Sequence, residues 1–274
     1  MHKHMLIFGM GYTASRFADR LRASGWEVTA TRRMSDGDAV AFDDVVAVRS
    51  ALETATHILS SVPPMGEGGD PVLLKYGAAI TEMKVSWIGY LSSTGVYGDC
   101  GGAWVDESAA VGLGRRSARA EADLEWQRLS DAVRIFRLPG IYGPGRSAIQ
   151  RVEQGKAHRI DLPEQIFSRV HVDDIGDALV AALNGPAGIF NIADDQPASQ
   201  NDVIEHACDL LGMEWPTLMP LDTAGLSPMA RGFYAENRRV SNMRAKRLLQ
   251  WQPQFPTYKQ GLAAVLRGRK AIGE

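Results

Sequence analysis

Short apolar runs alternate with stretches of helical period through the first half of the chain, and this alternation sets the expected architecture. Met5–Phe8 reads as a strand. Ala14, Phe17, Ala18 and Leu21 then recur at i, i+3, i+4 and i+7, one face of a helix, with Gly25 as its stop. Glu27–Thr31 is a second strand, Ala39–Phe42 a weaker third, and His57–Val62 a fourth, ended by Pro63-Pro64. Asp70-Pro71 predicts an N-cap followed by proline at the first helical position, with the helix running to about Lys84. Trp87–Ser92 is a fifth strand, Arg116–Leu129 a helix, and Val133–Leu138 a sixth strand ended by Pro139-Gly140. Such a series predicts right-handed βαβ units and a parallel sheet covered on both faces. Ligands of these sheets gather at the carboxyl ends of the strands, where the Gly- and Pro-containing turns fall.

The second half carries less strand pattern. Asp173 or Asp174 can cap a helix whose Ile175, Ala178, Leu179, Ala182 and Leu183 form an apolar stripe, ended by Asn184-Gly185-Pro186. Gly188–Ile192 reads as a strand. Ser199, with Asp202 three residues on, caps a helix to Leu211 that Gly212 closes, and two short helices follow Ser241 and Thr257. The expected organisation is an alternating α/β domain over residues 1–165, with residues 166–274 a mixed segment expected to complete the sheet and build a smaller lobe.

Composition narrows the class of protein. The chain has 274 residues, 45% hydrophobic and 23% charged, the balance of an ordinary globular protein. A net charge of -2 gives no electrostatic footprint for nucleic acid or an anionic membrane. No apolar run approaches the roughly 18 residues a membrane span needs. Met1-His2-Lys3-His4 leads straight into the first apolar run without the layout of a signal peptide. Cys100 and Cys208 stand at no metal-like spacing and read as reduced thiols, so a cytoplasmic location is expected.

The first turn carries the most specific chemistry. Gly9-Met10-Gly11-Tyr12-Thr13-Ala14 fits G-x-G-x-x-A between a strand and a helix. The first glycine permits a tight turn, the second lets a pyrophosphate approach the backbone, and the small third residue lets helix and strand pack closely. The helix N-terminus then offers N–H groups and a positive dipole end to the phosphates. The plain alternative is a turn whose glycines serve packing only. Dinucleotide sites for NAD carry an acid at the end of the second strand to bind the ribose 2′-OH. Here that place reads Thr31-Arg32-Arg33, with no acid between Val28 and Arg33. A guanidinium grips a 2′-phosphate that a carboxylate would repel, which favours NADP(H) over NAD(H). Otherwise both arginines are simply solvated at a strand end.

Several stretches together resemble the short-chain dehydrogenase/reductase superfamily, in its extended branch of NAD-dependent epimerases and dehydratases. They are YLSSTGVYGD (Tyr90–Asp99), RLPGIYGPGR (Arg137–Arg146), RVHVDDIGDAL (Arg169–Leu179) and RRVSNMRAKRLLQWQPQFPTYKQGL (Arg238–Leu262). The likeness covers nearly the whole chain and implies a doubly wound α/β fold of Rossmann type. It implies that Gly9, Gly11 and Ala14, with Tyr12 and Thr13 between, line the pyrophosphate. Asp43 would touch adenine, Ser61, Val62 and Pro63 would border the adenosine and ribose, and Pro139, Gly140 and Ile141 would pack near the nicotinamide. Ser93, four before Tyr97, matches the catalytic serine that hydrogen-bonds the reacting oxygen of the substrate. As strand-end hydroxyls, Ser92 and Ser93 would alternatively bond local backbone. A homodimer is common among such relatives.

The chain also departs from the superfamily. Its glycine motif is not the extended branch's G-x-x-G-x-x-G. The Y-x-x-x-K that supplies the general acid/base is missing, because the helix that should carry it reads Gly114-Arg115-Arg116-Ser117-Ala118-Arg119-Ala120-Glu121. This pattern resembles the atypical members, which keep the upstream serine and lose the pair. An arginine stays charged and is a poor acid, yet it can stabilise an oxyanion or hold the ribose. Arg115, Arg116 and Arg119 are candidates, with Arg119 and Glu121 the more interesting. Tyr97 is a candidate acid, and Tyr142, Arg146 and Arg169 are candidate substrate contacts. A solvated helix face is the plain reading of the charges, and His171 reads as structural. Sugar-nucleotide enzymes often place an arginine four before the equivalent of His171, where this chain has Phe167. The leading expectation is an NADP(H)-dependent oxidoreductase or epimerase/dehydratase-like enzyme acting on a small carbonyl or alcohol with a non-standard acid/base set. The alternatives are a non-catalytic NADP(H)-binding redox sensor and a nucleotide-sugar epimerase.

Overall fold

A computed structural model describes residues 3–35, 37, 39–83, 85–112, 114 and 117–272, without the side chains of 67, 229 and 270–272. Met1, His2, Lys84 and the candidates Arg115 and Arg116 lie outside the described residues. In chain order the strands are β1 (His4–Phe8), β2 (Glu27–Arg32), β3 (Ala39–Ala41), β4 (His57–Ser60), β5 (Trp87–Ser93), β6 (Trp104–Val105) and β7 (Val133–Leu138). They continue with β8 (Gly140–Tyr142), β9 (Arg159–Ile160), β10 (Arg169–His171), β11 (Gly188–Asn191), β12 (Leu218–Met219) and β13 (Arg239–Val240). The helices are α1 (Tyr12–Ala23), α2 (Val45–Thr54), α3 (Pro71–Glu82), α4 (Ser117–Leu129) and α5 (Ala148–Glu153). After them come α6 (Val172–Ala182), α7 (Gln200–Leu211), α8 (Pro228–Phe233), α9 (Met243–Leu249) and α10 (Tyr258–Ile272).

Among the described residues the central sheet has seven strands in the order β11-β7-β5-β4-β1-β2-β3, every pairing parallel. β1 is buried over its whole length, as a strand covered on both faces must be. Its side chains alternate between two cores. Met5 and Ile7 join Phe17 and Leu21 of α1 and Ile175 and Leu179 of α6. Leu6 and Phe8 join Val48 of α2, Tyr76 of α3 and Trp126 of α4 on the other face. The doubly wound parallel sheet expected from the alternation is therefore present. The order reverses between β4 and β1, which opens a crevice at their carboxyl ends.

Local signals placed several boundaries. Asp70 caps α3 by accepting from the N–H groups of Val72 (2.9 Å) and Leu73 (3.0 Å), with Pro71 at the first helical position. Ser199 and Asp202 form a capping box on α7, and Gly212 closes it at φ 65°. Other signals were misread or absent. α2 escaped the sequence reading, because only Val48 and Leu52 of it are buried. The N-cap of α6 is His171, whose Nδ1 accepts from the Asp173 N–H at 3.2 Å, and neither Asp173 nor Asp174 caps it. Asp174 is buried and accepts instead from Gln254 N (2.6 Å) and Phe255 N (3.2 Å), a contact 80 residues away that no local pattern announces. α10, expected to be short, has 15 residues.

The second half returns to the sheet through β11, which pairs with β7. A third core joins α5, α7 and α10 through Ile149, Val152, Ile204, Cys208 and Leu262. The two-residue pairings β6–β13 and β9–β12 and the three-residue pairing β8–β10 stitch the loops after β5 and β7 to later segments. No helix among the described residues is long and apolar enough to cross a membrane.

Candidate functional site

A cleft of about 900 Å³ runs from the start of α1, across the ends of β5 and β7, to α5, α7 and α8. Its first wall is the glycine turn. Gly9 sits at φ 86°, and a Cβ there would lie 2.9 Å from Val62 Cγ2 and 3.0 Å from Ser61 Oγ. The turn is held from both sides. Met10 N–H donates to Thr31 O (3.0 Å), Ser61 N–H donates to Phe8 O (2.9 Å), and the Ser61 hydroxyl donates to Gly9 O. Gly11 differs. It is the N-cap of α1 at φ −93°, and a Cβ there would meet nothing within 4 Å. No side chain caps α1, and Gly11, Tyr12, Thr13 and Ala14 all line the cleft. The N–H groups of the first turn therefore lack intrahelical partners beside open space, the arrangement that suits a phosphate. Packing explains Gly9; it does not explain Gly11.

The residues expected to surround the rest of a dinucleotide fall along the same strand ends. Arg32 and Arg33 are exposed where β2 ends. Ser61 and Pro63 line the cleft, whereas Val62 packs toward the core beneath Gly9. Asp43 stands at the sheet's outer rim, paired with Lys75 and outside the cleft lining. Pro139, Gly140 and Ile141 line the cleft after β7. Ser61, Pro63, Pro139, Gly140 and Ile141 thus share one cleft across the strand ends, whereas Arg32, Arg33, Asp43 and Val62 stand outside its lining.

Ser92 and Ser93 are adjacent yet differently employed. The Ser92 hydroxyl donates to Asp123 Oδ2 at 2.5 Å in the interior. Ser93 lines the cleft and caps the single turn Thr94–Tyr97, its Oγ accepting from Gly95 N–H at 3.1 Å. An oxygen that accepts from backbone keeps its own proton to donate elsewhere. Arg119 of α4 also lines the cleft; burial raises the pKa of the Tyr90 phenol and of the Asp70 carboxyl, and the Arg119 charge is one of the smaller effects that oppose the rise. Glu121 of the same helix is exposed and stands outside the cleft lining.

Tyr97 and Arg169 take other roles. Tyr97 is 1% exposed and outside the cleft lining. Its hydroxyl donates to Asn191 Oδ1 (2.7 Å) and accepts from Arg137 Nη1 (3.0 Å), while burial raises its pKa. That takes Tyr97 out of the acid/base role expected for it. The guanidinium of Arg169 borders the cleft but is committed to the carbonyls of Phe167 (2.9 Å), Ala198 (2.8 Å) and Ser199 (3.2 Å) and to Gln200 Oε1 (3.2 Å). It ties the floor together and has no donor fork to offer an anion. Tyr142 contributes its ring to the wall, whereas its hydroxyl is buried toward Gly261, where a Cβ would lie 2.0 Å away. Arg146 lines the cleft, and its charge acts on Tyr12, whose hydroxyl donates to Pro144 O at 2.8 Å. Sequence reading missed Arg151 and Tyr234, which also line the cleft. Neither belongs to a motif, and only the packing of α5 and α8 brings them there.

No family model matches the chain. A functionally unknown conserved protein from Silicibacter pomeroyi is 38% identical, with a TM-score of 0.86 over 97% of this chain and 99% of that one. A human epimerase family protein solved with NADPH superposes with a TM-score of 0.79 at 17% identity, covering 96% and 99% of the two chains. A 3-diazoavenalumate denitrifying reductase from a Streptomyces species is 32% identical over 163 residues, 53% of this chain. That match spans about half of the reductase, 52% of its length.

Proposed function

The chain belongs to one family with the Silicibacter pomeroyi protein and has the fold of the extended short-chain dehydrogenases/reductases, and from that footing we propose that it is an NADP(H)-dependent reductase of a small carbonyl substrate. One observation carries the cofactor reading: Gly11 holds space open at an uncapped helix N-terminus, where only an added ligand would need it. The α1 N–H groups would receive the pyrophosphate, and Arg32 and Arg33 the 2′-phosphate. The human neighbour solved with NADPH supports the same choice. Bound there, the nicotinamide would supply the hydride.

The chain's own residues handle the oxygen. Ser93, anchored by Gly95 N–H, donates its hydroxyl proton in a hydrogen bond to the reacting oxygen. Arg119 stabilises negative charge developing there. Neither group is an acid at neutral pH, so the proton comes from solvent in the cleft mouth. The Streptomyces relative, a reductase by name, supports the reductive direction. A second reading, NADP(H) binding without turnover, rests on the missing tyrosine–lysine pair and on the interior placement of Tyr97. The nucleotide-sugar reading loses support with the commitment of Arg169 to backbone carbonyls.

Fluorescence titration with NADPH and NADH, followed by consumption assays on aldehydes and ketones, tests the proposal. NADPH is expected to bind more tightly. Ser93→Ala should lower turnover about 100-fold while changing the NADPH Kd less than about twofold. A preference for NADH, or equal loss of turnover and cofactor affinity, would count against it. NADPH binding without consumption of any carbonyl would favour the second reading.

A further inference from the structure

The end of the cleft beyond Ser93 is built differently from the cofactor end. Arg151 of α5 and Tyr234 at the end of α8 both line it. Burial raises the Tyr234 pKa, and the charges of Arg151 and Arg169 partly oppose that rise. Each is short of partners. Arg151 makes one long bond, to Lys156 O at 3.4 Å, and no carboxylate pairs with it among the described residues. The Tyr234 hydroxyl makes no hydrogen bond among the described residues, while its ring packs edge-on against Phe167 at 5.5 Å. Phe167, Ile166 and Leu226 make the adjoining wall apolar. The other arginines at this end are engaged: Arg169 as described, and Arg238 by Glu236 Oε2 (3.0 Å) and Gly98 O (2.7 Å).

A guanidinium without a carboxylate partner and a phenol hydroxyl lining one cleft offer two donors to a planar oxyanion. A phosphate would call for more positive charge or a nest of backbone N–H groups, and Arg146, which also lines the cleft without a carboxylate partner among the described residues, acts on Tyr12 at the cofactor end. We propose that the substrate is a small carboxylic acid with a flat apolar body. Arg151 and the Tyr234 hydroxyl hold the carboxylate, the body lies against Phe167, and the reacting carbonyl faces Ser93. The proposal rests on the reductase reading for the reaction itself, but its binding site is independent of the cofactor.

Isothermal titration of the full chain with 3-phenylpropanoate, 3-phenylpropanamide and phenyl phosphate, with and without NADPH, tests it. The acid should bind at least tenfold more tightly than the amide, and phenyl phosphate no better than the acid. Arg151→Gln should abolish the acid/amide difference, Arg151→Lys should restore part of it, and Tyr234→Phe should weaken the acid several-fold. All three should leave the NADPH Kd within about twofold. Arg151 is exposed, so its variants should fold. Equal binding of acid and amide, no binding of either, a tenfold preference for phenyl phosphate, or an Arg151→Gln variant that keeps the acid preference would each overturn the assignment. If NADPH fails to bind while the Arg151-dependent preference persists, the carboxylate site stands and the reductase reading falls.

Discussion

Gly9 and Gly11 stand two residues apart and answer to different forces. Gly9 is held by its own fold: a positive φ and the Val62 side chain both exclude a Cβ. Gly11 has an ordinary φ and empty space where a Cβ would go. Alanine at each position separates packing from ligand binding. Gly9→Ala should lower the unfolding free energy by about 2 kcal/mol, from the left-handed backbone and the clash. Gly11→Ala should leave the urea midpoint nearly unchanged and weaken NADPH at least tenfold, because the methyl would occupy the phosphate's approach. If Gly11→Ala bound NADPH normally, the turn would be a packing device and the cofactor placement would fail.

At the scale of elements, a buried polar cluster locks α4 to β5 and β7 behind the cleft. Asp123, 0% exposed, accepts from Arg137 Nη2 (2.8 Å), Arg137 Nε (3.1 Å), the Ser92 hydroxyl (2.5 Å) and Gln127 Nε2 (2.7 Å). A buried pair broken on one side leaves the other charge uncompensated. Asp123→Asn should therefore cost roughly 3–5 kcal/mol in a urea melt. Tyr97→Phe removes only the outer hydroxyl of this cluster. It should cost about 1 kcal/mol and leave carbonyl turnover unchanged, whereas a tyrosine acting as proton donor would take turnover with it. The strands and α4 were readable from period and turn residues. The cluster was not, because Tyr97, Asp123, Arg137 and Asn191 come from four separate segments.

For the whole molecule, burial of acids sets a pH dependence. Burial pushes Asp174 up to about 7 and Asp194 up to about 8, the latter against the attraction of Arg169 and with the help of Asp195 and Asp174. A carboxyl whose folded pKa is raised favours the folded state most fully below the unfolded value near 4. That contribution fades as pH climbs through the folded value. Burial lowers His57 and His171 to about 4, so their neutral forms oppose this trend, and stability falls as pH drops below about 6.5. A difference measurement isolates the carboxyl. Between pH 5 and 9 the melting temperature of the wild type should fall relative to that of Asp194→Asn, steadily up to about pH 7 and levelling off above about pH 8. Parallel curves would show that Asp194 does not titrate in this range.

Period, caps and turn residues are local properties, and they determined the alternating elements, the parallel sheet and the glycine turn at its first strand end, while Ser93 came from the resemblance to a family. They also marked the arginines after β2, since strand ends of such sheets face the ligand side. Contact between distant segments decided the rest. It tied Asp174 to the backbone of Gln254 and Phe255, turned Tyr97 inward, committed Arg169 to carbonyls and brought Arg151 and Tyr234 to one cleft. A side chain's partners depend on which segments pack together, and spacing along the chain carries no record of that once the separation exceeds a turn or a hairpin.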